Sequence, residues 1–181
     1  MEAAPEALTV GHSTHSAKRL VALLRAHRVE LLADVRRYPG SRRLPHFNAE
    51  ALGAALGQAG IDYVGLGEGL GGRRKPARDS ANTGWRVAGF RAYADHMESG
   101  EFAAGLERLQ ARARERRTAV MCAEGEWRRC HRRLIADALV ARGWRVLHIR
   151  PDGRPEEHRL PPFAKVGAGR VSYPAQGSLG V

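Results

Sequence analysis

The sequence predicts a single α/β domain with an open, mainly parallel sheet and helices on both of its faces. Short apolar runs of the kind that form buried strands alternate along the chain with segments of helical spacing. Repeated strand–helix units build a parallel sheet that helices cover. The length of 181 residues and the hydrophobic fraction of 43% suit one substantial core, so we expect one domain.

The N-terminal half of the chain supplies three of the predicted strands, at residues 8–11, 29–35 and 61–66. Ser16 precedes an apolar series at helical spacing, which predicts the first helix. Asn48 is the expected N-cap of a second helix that runs to about Gly57. Pro, Gly and Arg residues between these elements, from 37 to 46, predict a loop.

The C-terminal half is predicted to hold helices at 90–97 and 102–114, a strand at 118–122, a helix at 129–141 and a strand at 144–149. The glycine-rich, basic segment 67–85 is expected to form a mobile loop that covers a substrate. Residues 1–150 would then form the α/β domain. Residues 151–181 are dense in Pro and Gly and show little periodicity, so we expect an irregular C-terminal tail.

The composition points to a polyanionic partner. The formal net charge is +11, and nearly all of the positive charge is arginine, whose guanidinium groups bind phosphate and carboxylate. Nucleic acid, DNA first, is the partner that this charge favours; the alternative is a genome whose base composition simply encodes many arginines. The chain shows no signal peptide and no run of about 18 apolar residues, so we expect a cytoplasmic protein without membrane contact.

The two cysteines, Cys122 and Cys130, lie too close in sequence for the disulfide framework of a secreted protein, so reduced thiols are expected. Cys130 precedes His131 and several arginines at a predicted helix start, which are conditions that favour a nucleophilic thiolate. Cys122 ends a buried strand, and the alternative to a reactive role is that it packs as a small apolar residue. Because seven residues separate the cysteines, the zinc-binding CxxC spacing is missing, and we expect neither metal nor cofactor.

Polar side chains follow three of the predicted strands. His12 and Ser13 follow the first strand, and Asp34 ends the second. Glu124 comes two residues after Cys122, the end of the fourth strand. The carboxyl ends of parallel strands meet at one edge of a sheet, so these groups are expected to share a site. The candidate catalytic residues are Glu124, Asp34, His12, Cys130, His131 and Cys122.

Arginines near the start of the helix at 129–141 would lie at the positive end of its dipole, which is an anion-binding arrangement. Exposed aromatic residues in the loops would stack on a base. The candidate substrate-binding residues are Ser13, Arg36, Tyr38, Arg42, Arg43, Arg73, Arg74, Trp127, Arg129 and Arg132. Asp34 and Glu124 have an alternative role as partners of Arg36 and Arg129 in structural ion pairs.

These residues resemble domain-of-unknown-function family 488, a family of small bacterial and archaeal proteins with no settled reaction. The resemblance covers about residues 8–149. It rests on Thr9-Val-Gly-His-Ser13, Asp34-Val-Arg36 with Pro39 and Ser41-Arg-Arg43, Phe47-Asn48, the segment from Gly69 to Gly72, Phe90-Arg91 with Tyr93, Met121-Cys-Ala-Glu124 and Cys130-His-Arg132. The resemblance implies that the clusters found at the strand ends are the family's own pattern.

The chain also has a weaker similarity to rhodanese-like domains. Asp34-Val-Arg36 and Cys122 occupy places comparable to those in rhodanese-like domains, so the fold is expected to be Rossmann-like or rhodanese-like. The sequence departs from the pattern at Glu124 and Glu126, which put carboxylates where a rhodanese loop would hold an oxyanion. Like charges would repel a phosphate or sulfate there.

Three functional hypotheses follow. The first is a hydrolase that removes or modifies a nucleic-acid base, as DNA-repair glycosylases do, with Glu124 or Asp34 assisting catalysis and Tyr38 or Trp127 stacking the flipped base. In this hypothesis His12 and His131 orient or protonate the leaving group. The second is a cysteine-dependent sulfurtransferase or phosphatase acting on a small anion. The third is a nucleic-acid-binding module without catalytic activity.

Overall fold

Eight strands are present in the computed structural model, which describes residues 3–176. They are β1 (Glu6–Gly11), β2 (Leu31–Asp34), β3 (Asp62–Gly65), β4 (Thr118–Cys122), β5 (Arg145–Ile149), β6 (Pro155–Glu157), β7 (Lys165–Gly167) and β8 (Arg170–Ser172). The first six form one sheet in the order β3-β2-β4-β1-β5-β6, and β7 and β8 form a separate hairpin. Strands β1 to β5 are parallel, and β6 runs antiparallel to β5. The mainly parallel open sheet predicted from the sequence is confirmed.

Within residues 3–176, six α-helices accompany the strands. They are α1 (Ala17–Ala26), α2 (Ala49–Gln58), α3 (Gly67–Leu70), α4 (Ala88–His96), α5 (Gly100–Glu115) and α6 (Arg132–Ala141). The Ser16 hydroxyl accepts a hydrogen bond from the Arg19 amide and begins α1. Asn48 does not cap α2 through its side chain, because its Oδ1 accepts from the Ser41 amide at 2.6 Å and closes the preceding loop instead.

The two faces of the sheet bury different side chains, because successive residues of a strand point to opposite faces. Within β4, Ala119 and Met121 pack with side chains of α1 and α2. Val120 and Cys122 pack with side chains of α4, α5 and α6. Helices therefore cover both faces, as predicted. None of the helices within the described range 3–176 is both long and apolar enough to cross a bilayer.

Two segments differ from the expectation drawn from local pattern. The segment 67–85 contains the short helix α3 before it becomes irregular. The described part of the tail is not irregular throughout, because it holds β6, β7 and β8. His158 and Tyr173 in this tail are buried, and both donate toward the Asp137 carboxylate of α6 at 2.6 Å. Residues 177–181 of the predicted tail lie outside the described range.

Candidate active site around Cys122

The carboxyl ends of β1, β2 and β4 meet at one edge of the sheet, where a cavity of about 270 Å³ opens. Its lining consists of Arg36, Arg37, Tyr38, Gly72, Arg73, Cys122, Ala123, Glu124, Arg129, Cys130 and His131. A larger cavity of about 630 Å³ lies between α5 and the β7–β8 hairpin and contains none of the candidate residues. Four of the six candidate catalytic residues line the smaller cavity, namely Cys122, Glu124, Cys130 and His131, whereas His12 and Asp34 do not.

Arg132 is the buried cation of this site. Its side chain is almost wholly enclosed, at 1% exposure, and its Nη1 lies 3.0 Å from Cys122 Sγ. The same guanidinium donates to the carbonyl oxygens of Glu124 and Gly125, and its Nε donates to Thr9 Oγ1 at 3.3 Å. Burial lowers the pKa of Arg132 to about 10, so the group remains charged at neutral pH. Within the described range no carboxylate contacts it.

Cys130 faces Cys122. The two sulfur atoms are in bonding contact, so the structure pairs them as a disulfide and corrects the expectation of two reduced thiols. Their Cα atoms are 7.7 Å apart, more than the roughly 4.4–6.8 Å usual for disulfides, so the backbone spacing also suits separate thiols. The Arg132 amide donates to Cys130 Sγ at 3.5 Å, at the start of α6.

His131 stands beside the cysteine pair. Its Nδ1 lies 3.7 Å from Cys130 Sγ, and its Nε2 has no hydrogen-bond partner among the described residues. Burial lowers the pKa of His131 to about 4, so the ring is uncharged at neutral pH. Both sulfurs and a His131 nitrogen lie within 4.8 Å of one another. A cation there would lie beside the Arg132 guanidinium, so the cluster suits thiol chemistry better than metal binding.

Asp34 forms an ion pair with Arg36. The sequence left two roles for Asp34, catalysis or a structural ion pair. Its carboxylate is buried and accepts from Arg36 Nη2 at 2.7 Å and Nε at 2.9 Å. The Tyr63 hydroxyl donates to the same carboxylate at 2.7 Å, and burial together with this carboxylate raises the pKa of Tyr63. Arg36 also donates to the Phe47 carbonyl at 2.7 Å. The lone pairs of Asp34 are thus engaged, and it orients Arg36 at the rim of the cavity.

His12 and Ser13 tie the first loop to the loop that follows Cys122. Ser13 donates its amide to the Ala123 carbonyl at 2.9 Å, and His12 Nδ1 donates to the Ser13 carbonyl at 2.8 Å. Burial lowers the pKa of His12 to about 4, and its ring stacks on Phe47 at 4.2 Å. A side chain at Gly11 would collide with the Glu124 carbonyl, so glycine permits this close approach of the two loops.

The expected base-stacking role does not fit Trp127. Its ring is buried and stacks on His148 at a centroid distance of 4.0 Å, and its Nε1 donates to Glu156 at 3.2 Å. Tyr38, in contrast, is 63% exposed beside the cavity. Local pattern places both residues in loops, and only the fold around His148 decides which ring is covered.

The remaining arginines divide into three groups. Arg73 and Arg129 are exposed and line the cavity together with Arg37, which the sequence reasoning missed although it directly follows Arg36. Arg74 lines no part of this cavity, because its side chain binds the Gly71 carbonyl and the Glu101 carboxylate. The residues Arg42 and Arg43 are exposed outside the cavity.

A chain of buried hydrogen bonds behind the site was also missed. Arg132 donates to Thr9, whose hydroxyl lies 2.6 Å from His148 Nδ1. His148 Nε2 lies 2.9 Å from His158 Nδ1, and His158 Nε2 lies 2.6 Å from Asp137 Oδ1. If both imidazoles are neutral, every donor in this chain meets an acceptor. The feature of the sequence that could have indicated this chain is Asp137, a charged residue on the otherwise apolar face of α6.

Comparison with known proteins identifies the family but supplies no reaction. The family model described as domain of unknown function DUF488 matches residues 16–139, more than half of the chain. No curated protein and no solved structure matches the chain significantly, so the weaker similarity to rhodanese-like domains gains no support. The matched residues include β2 with Asp34, the end of β4 with Cys122, and the start of α6 with Arg132. The chain belongs to the domain of unknown function family DUF488.

Proposed function

We propose that the protein is a cysteine-dependent enzyme that transfers a group from a small anionic substrate, with Cys122 as the nucleophile. The contact between Arg132 Nη1 and Cys122 Sγ carries the proposal. A buried charge is costly unless an opposite charge accompanies it. In the reduced protein the Cys122 thiolate is the ionised group that can meet this guanidinium directly, and the thiolate is the nucleophilic form of cysteine.

The lining of the cavity supports an anionic substrate. Arg37, Arg73 and Arg129 present exposed guanidinium groups at the cavity, where they can bind an oxyanion through paired hydrogen bonds. The volume of about 270 Å³ lies near the lower limit for small-molecule sites. The cavity therefore suits a small anion or the anionic group of a substrate that extends into solvent.

The carboxylates of the loop after Cys122 do not oppose this assignment. Glu124 accepts from the Glu126 amide at 3.0 Å, and Glu126 accepts from the Arg128 amide at 3.1 Å. Both side chains are exposed and stabilise the turn of their own loop. Water and backbone donors screen their charge, which reduces the repulsion expected from the sequence.

The chemical step is a displacement at the substrate. The Cys122 thiolate forms a bond to the electrophilic atom, the bond from that atom to the leaving group breaks, and the leaving group departs with the electron pair. An acceptor nucleophile then takes the transferred group and regenerates the thiolate. Removal of a nucleic-acid base loses two of its candidate residues, because Asp34 is occupied by Arg36 and Tyr63 and Trp127 is covered. Glu124 and Tyr38 remain exposed at the cavity.

The experiment that tests the proposal measures the alkylation rate of each cysteine. The protein is reduced with a dithiol, freed of reductant without oxygen and treated with iodoacetamide over a pH series, and modified peptides are quantified by mass spectrometry. Cys122 should reach half of its maximal rate well below pH ~8.5, the value typical of a free thiol. Cys130→Ser should retain this behaviour. Alkylation of Cys122 at the pH of a free thiol would overturn the proposal.

A further inference from the structure

We infer that Cys130 is the second reacting thiol of the site and that the group transferred to Cys122 is a sulfur atom from an anionic sulfane-sulfur donor. The inference rests on the proposed role of Cys122 as nucleophile. It deepens that proposal by naming the transferred atom, the class of donor and the residue that completes the reaction.

The position of Cys130 is the first support. Cys122 comes from the end of β4 and Cys130 from the residue two places before α6, yet their sulfur atoms are in bonding contact and both line the cavity. Cys130 can therefore attack a group held on Cys122 without a domain movement. Two buried cysteines in contact could simply pack as small apolar residues. That explanation does not account for the arginine-lined cavity onto which both cysteines open.

The surroundings of Cys130 are the second support. The amide of Arg132 donates to its sulfur at 3.5 Å, which stabilises negative charge there. His131 Nδ1 lies 3.7 Å from the same sulfur and is placed to accept the thiol proton. Cys130 thus has a hydrogen-bond donor for its thiolate and an uncharged imidazole nitrogen beside its sulfur, through which the thiol proton can pass.

The presence of a second thiol restricts what Cys122 carries. A thiol displaces a group from cysteine sulfur only when that sulfur is electrophilic, as it is in a persulfide or a sulfenic acid. A phosphoryl group on Cys122 would be attacked at phosphorus and would leave Cys130 without a role. The arginines at the cavity favour an anionic sulfur donor over a neutral peroxide. The donor class is therefore a thiosulfonate or thiosulfate anion.

The reaction balances in three steps. The Cys122 thiolate bonds to the outer sulfur of the donor, whose sulfur–sulfur bond breaks, and sulfinate or sulfite leaves with the electron pair. Cys130 Sγ then bonds to Cys122 Sγ, and the outer sulfur leaves as hydrosulfide carrying the proton from the Cys130 thiol through His131. An external dithiol reduces the resulting disulfide by exchange and is itself oxidised to a disulfide.

The test uses the full-length protein, reduced and freed of reductant without oxygen, with thiosulfate as the probe. In a single turnover the wild type should release sulfide and lose two free thiols. Cys130→Ser should form a Cys122 persulfide, detected by mass spectrometry, and release at least about tenfold less sulfide than the wild type. Cys122→Ser should do neither. Circular dichroism checks that each variant is folded.

Failure of this inference is distinguishable from failure of the proposed function. Equal sulfide release from the wild type and folded Cys130→Ser, together with rapid alkylation of Cys122, would overturn the role of Cys130 and leave Cys122 as the nucleophile. Disulfide formation with hydrogen peroxide but no reaction with thiosulfate would overturn the assignment of sulfur. A third outcome would also overturn the two-thiol reaction. In it, the purified, reduced protein contains stoichiometric zinc, and a chelator removes both the zinc and the reactivity toward thiosulfate.

Discussion

Arg132 Nη1 lies 3.0 Å from Cys122 Sγ, although the two residues belong to different elements. The sulfur stands at the end of β4, the strand between β2 and β1, and the guanidinium comes from the first residue of α6. Because Arg132 is enclosed and contacts no carboxylate within the described residues, its charge is directed at the sulfur and at carbonyl oxygens. This pairing leads to the first prediction.

Replacing Arg132 with Met should slow alkylation of Cys122 at pH 7 by roughly tenfold or more. Removing the cation destabilises the thiolate relative to the thiol by at least about 1.4 kcal/mol, which raises the pKa of Cys122 by one unit or more. Iodoacetamide kinetics with peptide mapping measure the effect. Arg43→Met is the matched control, because Arg43 is exposed and lies outside the cavity. An unchanged rate in a folded Arg132→Met protein would contradict the pairing.

Asp34→Asn should act mainly on stability. The Asp34–Arg36 pair is buried, with side-chain exposures of 1% and 9%, and breaking one partner of a buried pair costs about 3–5 kcal/mol. The control is Asp62→Asn, which removes an exposed pair with Arg116 and should cost no more than about 1 kcal/mol. Urea unfolding of both variants measures the difference. An Asp34→Asn protein as stable as the wild type would contradict this account.

The buried hydrogen-bond chain predicts a graded loss of stability. Asp137→Asn removes the charge that both His158 and Tyr173 bind, and it should cost about 2–3 kcal/mol because those donors lose a charged acceptor. Tyr173→Phe removes one hydrogen bond to the same carboxylate and should cost about 1 kcal/mol. Both values come from urea unfolding. Equal stability of the two variants would show that Asp137 does not anchor the chain.

The protein should lose stability as the pH falls below about 6.5. Burial lowers the pKa of His12 and His131 to about 4 and that of His148 to about 2, from an ordinary value of 6.5. Below pH 6.5 the unfolded chain binds protons that the folded chain excludes, so the free energy of unfolding decreases by about 1.4 kcal/mol per pH unit for each histidine. Urea unfolding between pH 7 and pH 5 measures the slope. His131→Asn should reduce the slope of unfolding free energy against pH by the contribution of one histidine. An unchanged slope would contradict the lowered pKa of His131 in the folded protein.

Nucleic-acid binding, if the arginine excess produces it, should be separable from the thiol chemistry. Arg42 and Arg43 are exposed and do not line the cavity, so the double change to Ala should leave Cys122 alkylation unchanged. If both arginines contact phosphates of duplex DNA, the slope of log affinity against log salt should fall by about 1.8. A loss of Cys122 reactivity in this variant would link the two surfaces.

Much of the fold was accessible from local pattern. The apolar runs that became β1, β2 and β4 were found because a strand buried on both faces is recognisable within about five residues. The runs that became β3 and β5 were found although both strands are partly exposed. The strands of the tail were missed, since each spans only three residues, which is too short to show a period of two. Asn48 is the N-cap residue of α2, as predicted, but its side chain accepts from the Ser41 amide instead of capping the helix, a contact that the sequence pattern does not show.

By itself the sequence determined the order of strands and helices along the chain, because that order depends on short-range periodicity. The parallel sheet that this order predicts also determined the edge at which Cys122, Glu124 and Arg36 lie. Only the tertiary structure decided what each side chain does there. In the folded protein the Asp34 carboxylate binds Arg36 and Tyr63, and the Trp127 ring stacks on His148. The fold also places Arg132 and Cys130 beside the Cys122 sulfur. Charge, burial and hydrogen bonding depend on neighbours in space, and those neighbours are set by packing rather than by position along the chain.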